Sequence, residues 1–207
     1  MKHKDVIIFI KINEKEKIMS KIKWPRSVLL APVPPVLVTC GQHDKINVLT
    51  IGWTGVLNSR PPMTYISLKP SRLSYEIISE TKEFTINLTT VAMVKAVDFC
   101  GVKSGRDVNK FEKMNLECTD GESISCPMLT ASPLSLECQV KNIIPLGTHV
   151  LFMAEILTVN VEAKLLDDNG KLHLDQAELL AYVHGEYFGL GEKCGTFGYS
   201  VRKKKKR

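Results

Sequence analysis

Between Asn47 and Ser74 the chain reads NVLTIGWTGVLNSRPPMTYISLKPSRLS, and no other stretch limits its fold so closely. A short apolar run, Val48 to Ile51, stops at Gly52-Trp53-Thr54-Gly55; a second, Met63 to Leu68, follows Pro61-Pro62. Apolar runs this short, bounded by glycine and proline, read as strands. Gly52 and Gly55 carry no Cβ, so the backbone there can turn with positive φ or approach a ligand closely. The second run ends in Lys69-Pro70-Ser71-Arg72-Leu73-Ser74, two cations and two hydroxyls around an expected helix start. Cations, hydroxyls and free amides at a helix N-terminus are what a phosphate requires. Two readings follow. Either a phosphorylated ligand with a planar ring lies beside Trp53, or this is a hairpin with Trp53 in the core and Lys69 and Arg72 on a solvated helix cap.

The rest of the chain extends the strand pattern. Val36 to Cys40 reads as a first strand, hairpinned through Gly41–Lys45 to the Asn47 strand, and Glu83 to Leu88 alternates with the strand period. Leu134 to Ile144 and His149 to Val161 are the longest strands, joined by Pro145-Leu-Gly147 and hence antiparallel. Short helices are expected over 73–80, with Ser71 or Ser74 as cap, over 91–100, after the polar loop Cys100–Phe111, and over 175–182. Glu186 to Gly198 reads as a glycine-rich terminal loop. Strands outnumber helices and connections are short, which predicts a mainly β protein: an antiparallel barrel with small attached helices.

The net positive charge is concentrated at the ends, and the middle of the chain is close to neutral. The net charge of +6 owes most to Arg202–Arg207, six consecutive cations, and the first 23 residues are also lysine-rich. A run of this kind reads as a solvated end, so nucleic acid is not an expected partner. Residues 1–23 read as an N-terminal extension containing the short apolar run Val6–Ile10, with Met19 a natural start of its own; 24–201 is the expected domain and 202–207 a basic tail. No apolar run approaches the ~20 residues of a membrane helix. None of the six cysteines forms Cys-x-x-Cys, and no metal or disulfide framework is indicated. Cytoplasmic residence is the expectation.

There is no Gly-x-x-x-x-Gly-Lys-Ser/Thr loop and no Gly-x-Ser-x-Gly elbow. Gly189-x-Gly191 with Gly195 misses the dinucleotide spacing by one and lacks a strand–helix context. The positive signal is joint. Asn47-x-x-Thr-Ile-Gly-Trp-Thr54, then Pro61-Pro62, then Tyr-Ile-Ser-Leu-Lys-Pro-Ser-Arg-Leu-Ser74 resembles the flavin reductase-like proteins with the FMN-binding split barrel. Cys-Gly-x-x-Ser-Gly-Arg-Asp-x-x-Lys-Phe111, Leu-Gly-Thr-His149 and Leu-Gly-Glu-Lys-x-Gly-Thr-Phe-Gly-Tyr199 are similar to its flavoredoxin branch.

The resemblance implies an antiparallel split β-barrel holding FMN near a homodimer interface. By position, Asn47 and the backbone of Thr50, Ile51, Gly52, Trp53 and Thr54 would meet the isoalloxazine and ribityl chain, with Trp53 as an aromatic wall. Ser74 would hydrogen-bond the phosphate and Lys110 would supply charge to it, with Ser67, Lys69 and Arg72 as further partners of the same anion. His149, the catalytic candidate, would touch the flavin or an entering nicotinamide, and Tyr182 would close the ring edge; Cys100 and Arg106 would shape their loop. The redox chemistry would be the flavin's, with the protein binding and orienting it. Three functions share such a site: an NAD(P)H-dependent flavin or ferric reductase, an electron carrier serving a redox protein partner, and a flavin-binding protein without redox turnover.

Overall fold

The computed structural model describes residues 21–202; the expected run at 6–10, Met19 and the tail from 203 lie outside them. The strands are β1 (Val36–Cys40), β2 (Asn47–Ile51), β3 (Thr54–Ser59), β4 (Pro62–Leu68), β5 (Glu83–Asn87), β6 (Cys118–Thr119), β7 (Met128–Leu129), β8 (Leu134–Pro145), β9 (Val150–Val161), β10 (Leu180–Val183) and β11 (Glu186–Gly189). The α-helices are α1 (Leu73–Thr81), α2 (Val94–Val102) and α3 (Lys110–Met114). Among the described residues no helix is long and apolar enough to cross a membrane.

Seven strands form one antiparallel sheet in the order β2-β1-β5-β8-β9-β4-β3. Its two edge strands, β2 and β3, are consecutive in the chain and joined only by Gly52 and Trp53. Laid flat, six inter-strand spacings of ~4.8 Å would separate the edges by about 29 Å. Two linking residues reach only about 11 Å from Ile51 to Thr54. The sheet must therefore curl until its edges meet, giving the split barrel. Irregularities in β8, between Glu137 and Cys138 and between Val140 and Asn142, supply local bend and twist.

Burial follows the curl. Val36, Val38, Leu49, Ile66, Phe84 and Phe152 fill the barrel. Leu37 and Val48 point the other way, packing with Val97 and Cys100 of α2 and with Leu129 and Leu180. β1 is thus covered on both faces, which is why VLVTC is nearly continuous rather than alternating. β4, covered on one face, buries alternate residues Thr64, Ile66 and Leu68.

Two buried polar side chains organise the loops on the closed side. Asn87 donates to the Leu37 carbonyl and Thr39 Oγ1 while accepting from the Leu129 amide and Ser135 Oγ. The fully buried Glu137 carboxylate accepts the amides of Glu122, Ser123 and Ile124 and the Asn160 side-chain amide. Burial alone would push this carboxyl up, but those four donors outweigh it and hold it below the usual carboxylate range.

Three local expectations are corrected. Residues 175–182 do not form a helix: a single 3₁₀ turn, Leu174–Gln176, precedes β10, and the expected loop from 186 begins with β11. Tertiary pairing overrides the helical composition of Ala177–Ala181, because Val33 takes both backbone groups of Tyr182 and Thr89 accepts the Leu180 amide. Neither Ser71 nor Ser74 caps α1; Arg72 occupies the cap in extended conformation and makes no side-chain cap bond. Gly52 and Gly55 do not use positive φ. Gly55 lies within β3, where a Cβ would come 3.2 Å from the Tyr65 ring, so close packing is its role.

Candidate functional site

The seam between the sheet edges holds a cavity of about 380 Å³. Its floor is β2 and the link: Leu49, Thr50, Ile51, Gly52 and Trp53. Thr50 Oγ1 donates to the Val97 carbonyl, fixing α2 against β2. The Trp53 carbonyl accepts the Ser67 amide at 2.9 Å, and Thr54 Oγ1 donates to the Tyr65 carbonyl, so the link is bound to β4 on both sides of its indole.

Trp53 is 43% exposed and is not a core tryptophan. Its ring meets His149 at a centroid distance of 4.3 Å and an interplanar angle of 39°, an aromatic wall shared by the link and the β8–β9 turn. Thr148 Oγ1 lies 3.0 Å from His149 Nδ1. Burial, and secondarily the charge of Lys69, hold the imidazole below its ordinary 6.5, so it is neutral at neutral pH.

Ser67, Lys69 and Arg72 line the cavity where β4 runs into α1. Arg72 Nη2 donates to the Gly101 carbonyl at 3.0 Å, and Lys110 Nζ donates to the preceding carbonyl, Cys100, at 3.0 Å. The C-terminus of α2, where the helix dipole leaves carbonyls unpaired, is therefore capped by cations from two other segments. That contact orients the guanidinium and leaves its other N–H groups free of protein partners among the described residues. With the first turn of α1 lacking a side-chain cap, the edge of the cavity presents two cations and helix-start amides.

Nine of the thirteen expected site residues line this one cavity: Thr50, Ile51, Gly52, Trp53, Ser67, Lys69, Arg72, His149 and Tyr182. Thr54 does not, being held by Tyr65. Asn47, Ser74 and Lys110 form a buried layer outside the lining. Asn47 Nδ2 donates to Ser74 Oγ at 2.9 Å, tying β2 to α1. Lys110 Nζ also donates to the Val48 carbonyl at 2.8 Å, and burial lowers its pKa. Of the two loop-shaping candidates, Cys100 is buried with its thiol pushed up to about 11 by burial, and Arg106 pairs with Glu76 on the surface.

The sequence pattern does not mark Asp98 or Tyr187, which line the cavity together with Gly101 of the quoted Cys-Gly motif. Asp98 sits on one face of an amphipathic helix, where nothing distinguishes a lining residue from a solvated one. Tyr187 follows His184-Gly185, both at positive φ. A two-residue turn ending in glycine between Leu180–Val183 and Glu186–Gly189 is a hairpin signal that locates it.

A family model described as "Flavin reductase like domain" matches residues 29–191. The flavoredoxin of Desulfovibrio vulgaris (Miyazaki F) superimposes with a TM-score of 0.82 and 26% identity, covering 88% of this chain and 100% of that one. The flavoredoxin of Methanosarcina acetivorans gives a TM-score of 0.81 and 29% identity over the same shares. A further relative is the NADH-dependent FMN reductase AsuE2 of Streptomyces nodosus subsp. asukaensis, 23% identical over 176 residues, 84% of this chain and 87% of that protein.

Proposed function

The chain belongs to the flavin reductase-like family, and from that footing we propose that it is an FMN-binding oxidoreductase that takes electrons from NAD(P)H or a protein donor and passes them to a flavin, ferric or protein acceptor. The observation that carries this is the pairing, in one cavity, of the Trp53–His149 wall with the Lys69–Arg72 edge at the uncapped start of α1. A planar ring and a phosphate monoester are the two parts of FMN, and these residues fit both.

Lys69, Arg72 and Ser67 would hold the phosphate, with the α1 amides. The Thr50–Trp53 backbone would face the ring and ribityl chain, and Trp53, His149 and Tyr182 would bound the ring. Asn47, Ser74, Thr54 and Lys110 would act from behind by fixing β2, α1 and the link. When bound, FMN supplies the redox chemistry. A neutral imidazole at His149 adds no second positive charge beside Lys69 and can donate or accept a hydrogen bond at the ring.

The flavoredoxin similarity favours a second reading, an electron carrier with little nicotinamide turnover, on the same residues. The relative named as an NADH-dependent FMN reductase supports the first. We take 24–201 as the flavin domain, with appendages 1–23 and 202–207. Exposed apolar side chains such as Leu30 and Val56 support pairing of two copies, and free cysteines support a reducing, cytoplasmic setting.

The test is an absorbance spectrum of the purified protein, before and after anaerobic NADH or NADPH. Flavin bands that bleach with a nucleotide support the reductase; bands that bleach only with dithionite support the carrier. A colourless protein that does not take up added FMN refutes both.

A further inference from the structure

Resting on that reading, we propose that Asp98, Tyr182 and Tyr187 form a second subsite of the cavity, which takes the ribose diol of a donor dinucleotide and selects a free 2′-hydroxyl over a 2′-phosphate, that is, NADH over NADPH. Tyr182 and Tyr187 are directly opposed partners in the β10–β11 hairpin, with ring centroids 5.3 Å apart and an interplanar angle of 58°. The His184-Gly185 turn fixes their register, and the Val33–Tyr182 backbone bridge fastens the hairpin to the segment before β1. Across from them, on α2, Asp98 Oδ1 accepts the Tyr187 hydroxyl at 3.3 Å. All three residues line the same cavity as Lys69 and Arg72.

The cavity wall therefore carries both signs of charge. At the α1 edge stand two cations; at the hairpin edge stands a carboxylate. Among the described residues no cation pairs with it, and Lys95, one helical turn earlier on α2, makes no ion pair. Burial first, and then the neighbouring Asp98 charge, push the Tyr187 hydroxyl up to about 12, so it remains a donor to the carboxylate. An ionised carboxylate has about four acceptor positions and Tyr187 occupies one. The remainder suit a group that brings hydrogen-bond donors, and a vicinal diol brings two. A phosphate brings none when ionised, and would meet the like charge of Asp98, which no cation pairs among the described residues. This is the physical basis on which a carboxylate selects a ribose 2′-hydroxyl and an arginine a 2′-phosphate. The tyrosine faces beside it offer an apolar surface to the attached purine. Asp98 is exposed and both tyrosines are partly buried, which places the subsite at the rim, where an entering nucleotide arrives.

The test uses the full-length, FMN-loaded protein and Asp98→Asn, a substitution on an exposed helix position that leaves the core untouched. NADH and NADPH dissociation constants are measured by calorimetry with the flavin reduced beforehand by dithionite, so that no turnover occurs, and kcat/KM is measured separately. Wild-type protein is expected to bind NADH about tenfold more tightly than NADPH, and Asp98→Asn to reduce that preference about fivefold, chiefly by improving NADPH. Tyr187→Phe keeps the ring and frees the carboxylate, and should maintain or sharpen the preference. An unchanged ratio in Asp98→Asn, or a preference lost in Tyr187→Phe, overturns the subsite. Loss of bound FMN from Asp98→Asn also overturns it, by assigning the carboxylate to the flavin. If neither nucleotide binds the wild-type protein the subsite is refuted; a full FMN complement then leaves the flavin reading standing, whereas a protein that takes up no FMN refutes that reading as well.

Discussion

Replacing Arg72 with alanine separates a residue that touches the ligand's phosphate from one that merely shapes the cavity. The guanidinium has five N–H donors, and the structure commits Nη2 to the Gly101 carbonyl. That anchor restricts the side chain before any ligand arrives, so less rotamer entropy is lost when its remaining donors meet an anion. A hydrogen bond between charged groups contributes about 1.5–3 kcal/mol. At a half-buried edge open to solvent the lower part of that range applies, and the loss of FMN affinity is expected to be about 10- to 40-fold. Riboflavin, which has the same ring and ribityl chain without the phosphate, supplies the reference. Fluorescence titration of the flavin-free protein with both ligands, in wild type and Arg72→Ala, closes a cycle. Riboflavin should weaken by no more than about twofold, and the difference between the ligands should shrink as salt is raised. Lys110→Met is the control. Its ammonium is buried on the Val48 and Cys100 carbonyls, so it should weaken FMN and riboflavin by the same factor, through displacement of β2 and α2. Equal weakening of both ligands by Arg72→Ala refutes direct phosphate contact; a selective loss of FMN in Lys110→Met refutes the assignment of Lys110 to support.

Glu137→Gln should destabilise the fold by about 2–4 kcal/mol at pH 7: Oε1 accepts from Glu122 and Asn160 and Oε2 from Ser123 and Ile124, and the amide nitrogen that replaces either oxygen leaves two donors facing a donor. Because the folded carboxyl lies below its unfolded value near 4.3, its contribution is complete above about pH 4.3 and is lost as pH falls through the folded value. Urea melts should therefore show the gap between wild type and mutant narrowing on acidification below about pH 4.3, and a gap that does not narrow at all there refutes the ionic account. The His149 ring should titrate below 6.5 by NMR, and Lys69→Gln should move its midpoint only part of the way back, because burial is the larger cause; a full return, or no movement, contradicts that order.

The legible parts of the sequence were those where local chemistry and tertiary packing agree. Val36–Cys40, Glu83–Asn87 and the β8–β9 pair are strands by composition and remain strands because each is buried in the sheet. The Asn47–Ser74 stretch supplies most of the cavity wall, since one continuous segment forms its floor, its link and its cationic edge. Legibility failed where a residue's role depends on what the fold brings opposite it. Ala177 to Ala181 has helical composition, yet Leu180–Val183 becomes a strand because β11, Val33 and Thr89 offer partners. Ser74 has the chemistry of a cap, yet it lies inside α1 and its hydroxyl accepts from Asn47 Nδ2. Lys110 resembles a surface lysine or an anion ligand until β2 and α2 are seen to close over it. Asp98 gave no signal because a helix pattern identifies a polar face but not what stands in front of it.

Barrel closure and site formation are one event in this chain. The Gly52–Trp53 link is what obliges a seven-stranded sheet to curl, and the same two residues are the point where the curl leaves the seam open. Trp53 cannot turn inward to fill the seam: its carbonyl is held by Ser67, and Thr54 is held by Tyr65, so the indole stands out over His149. The cations need no loop of their own, because β4 pairs with β3 and therefore delivers Lys69 and Arg72 to the same opening as soon as it ends. The hairpin edge, with Tyr182 and Tyr187, comes from outside the seven-stranded sheet, and it is fastened by a backbone bridge to Val33 and by contacts near Thr89. The Trp53–His149 wall and the cationic edge of the cavity are thus set by the barrel strands and their connections, while Tyr182 and Tyr187 stand on a hairpin outside the seven-stranded sheet.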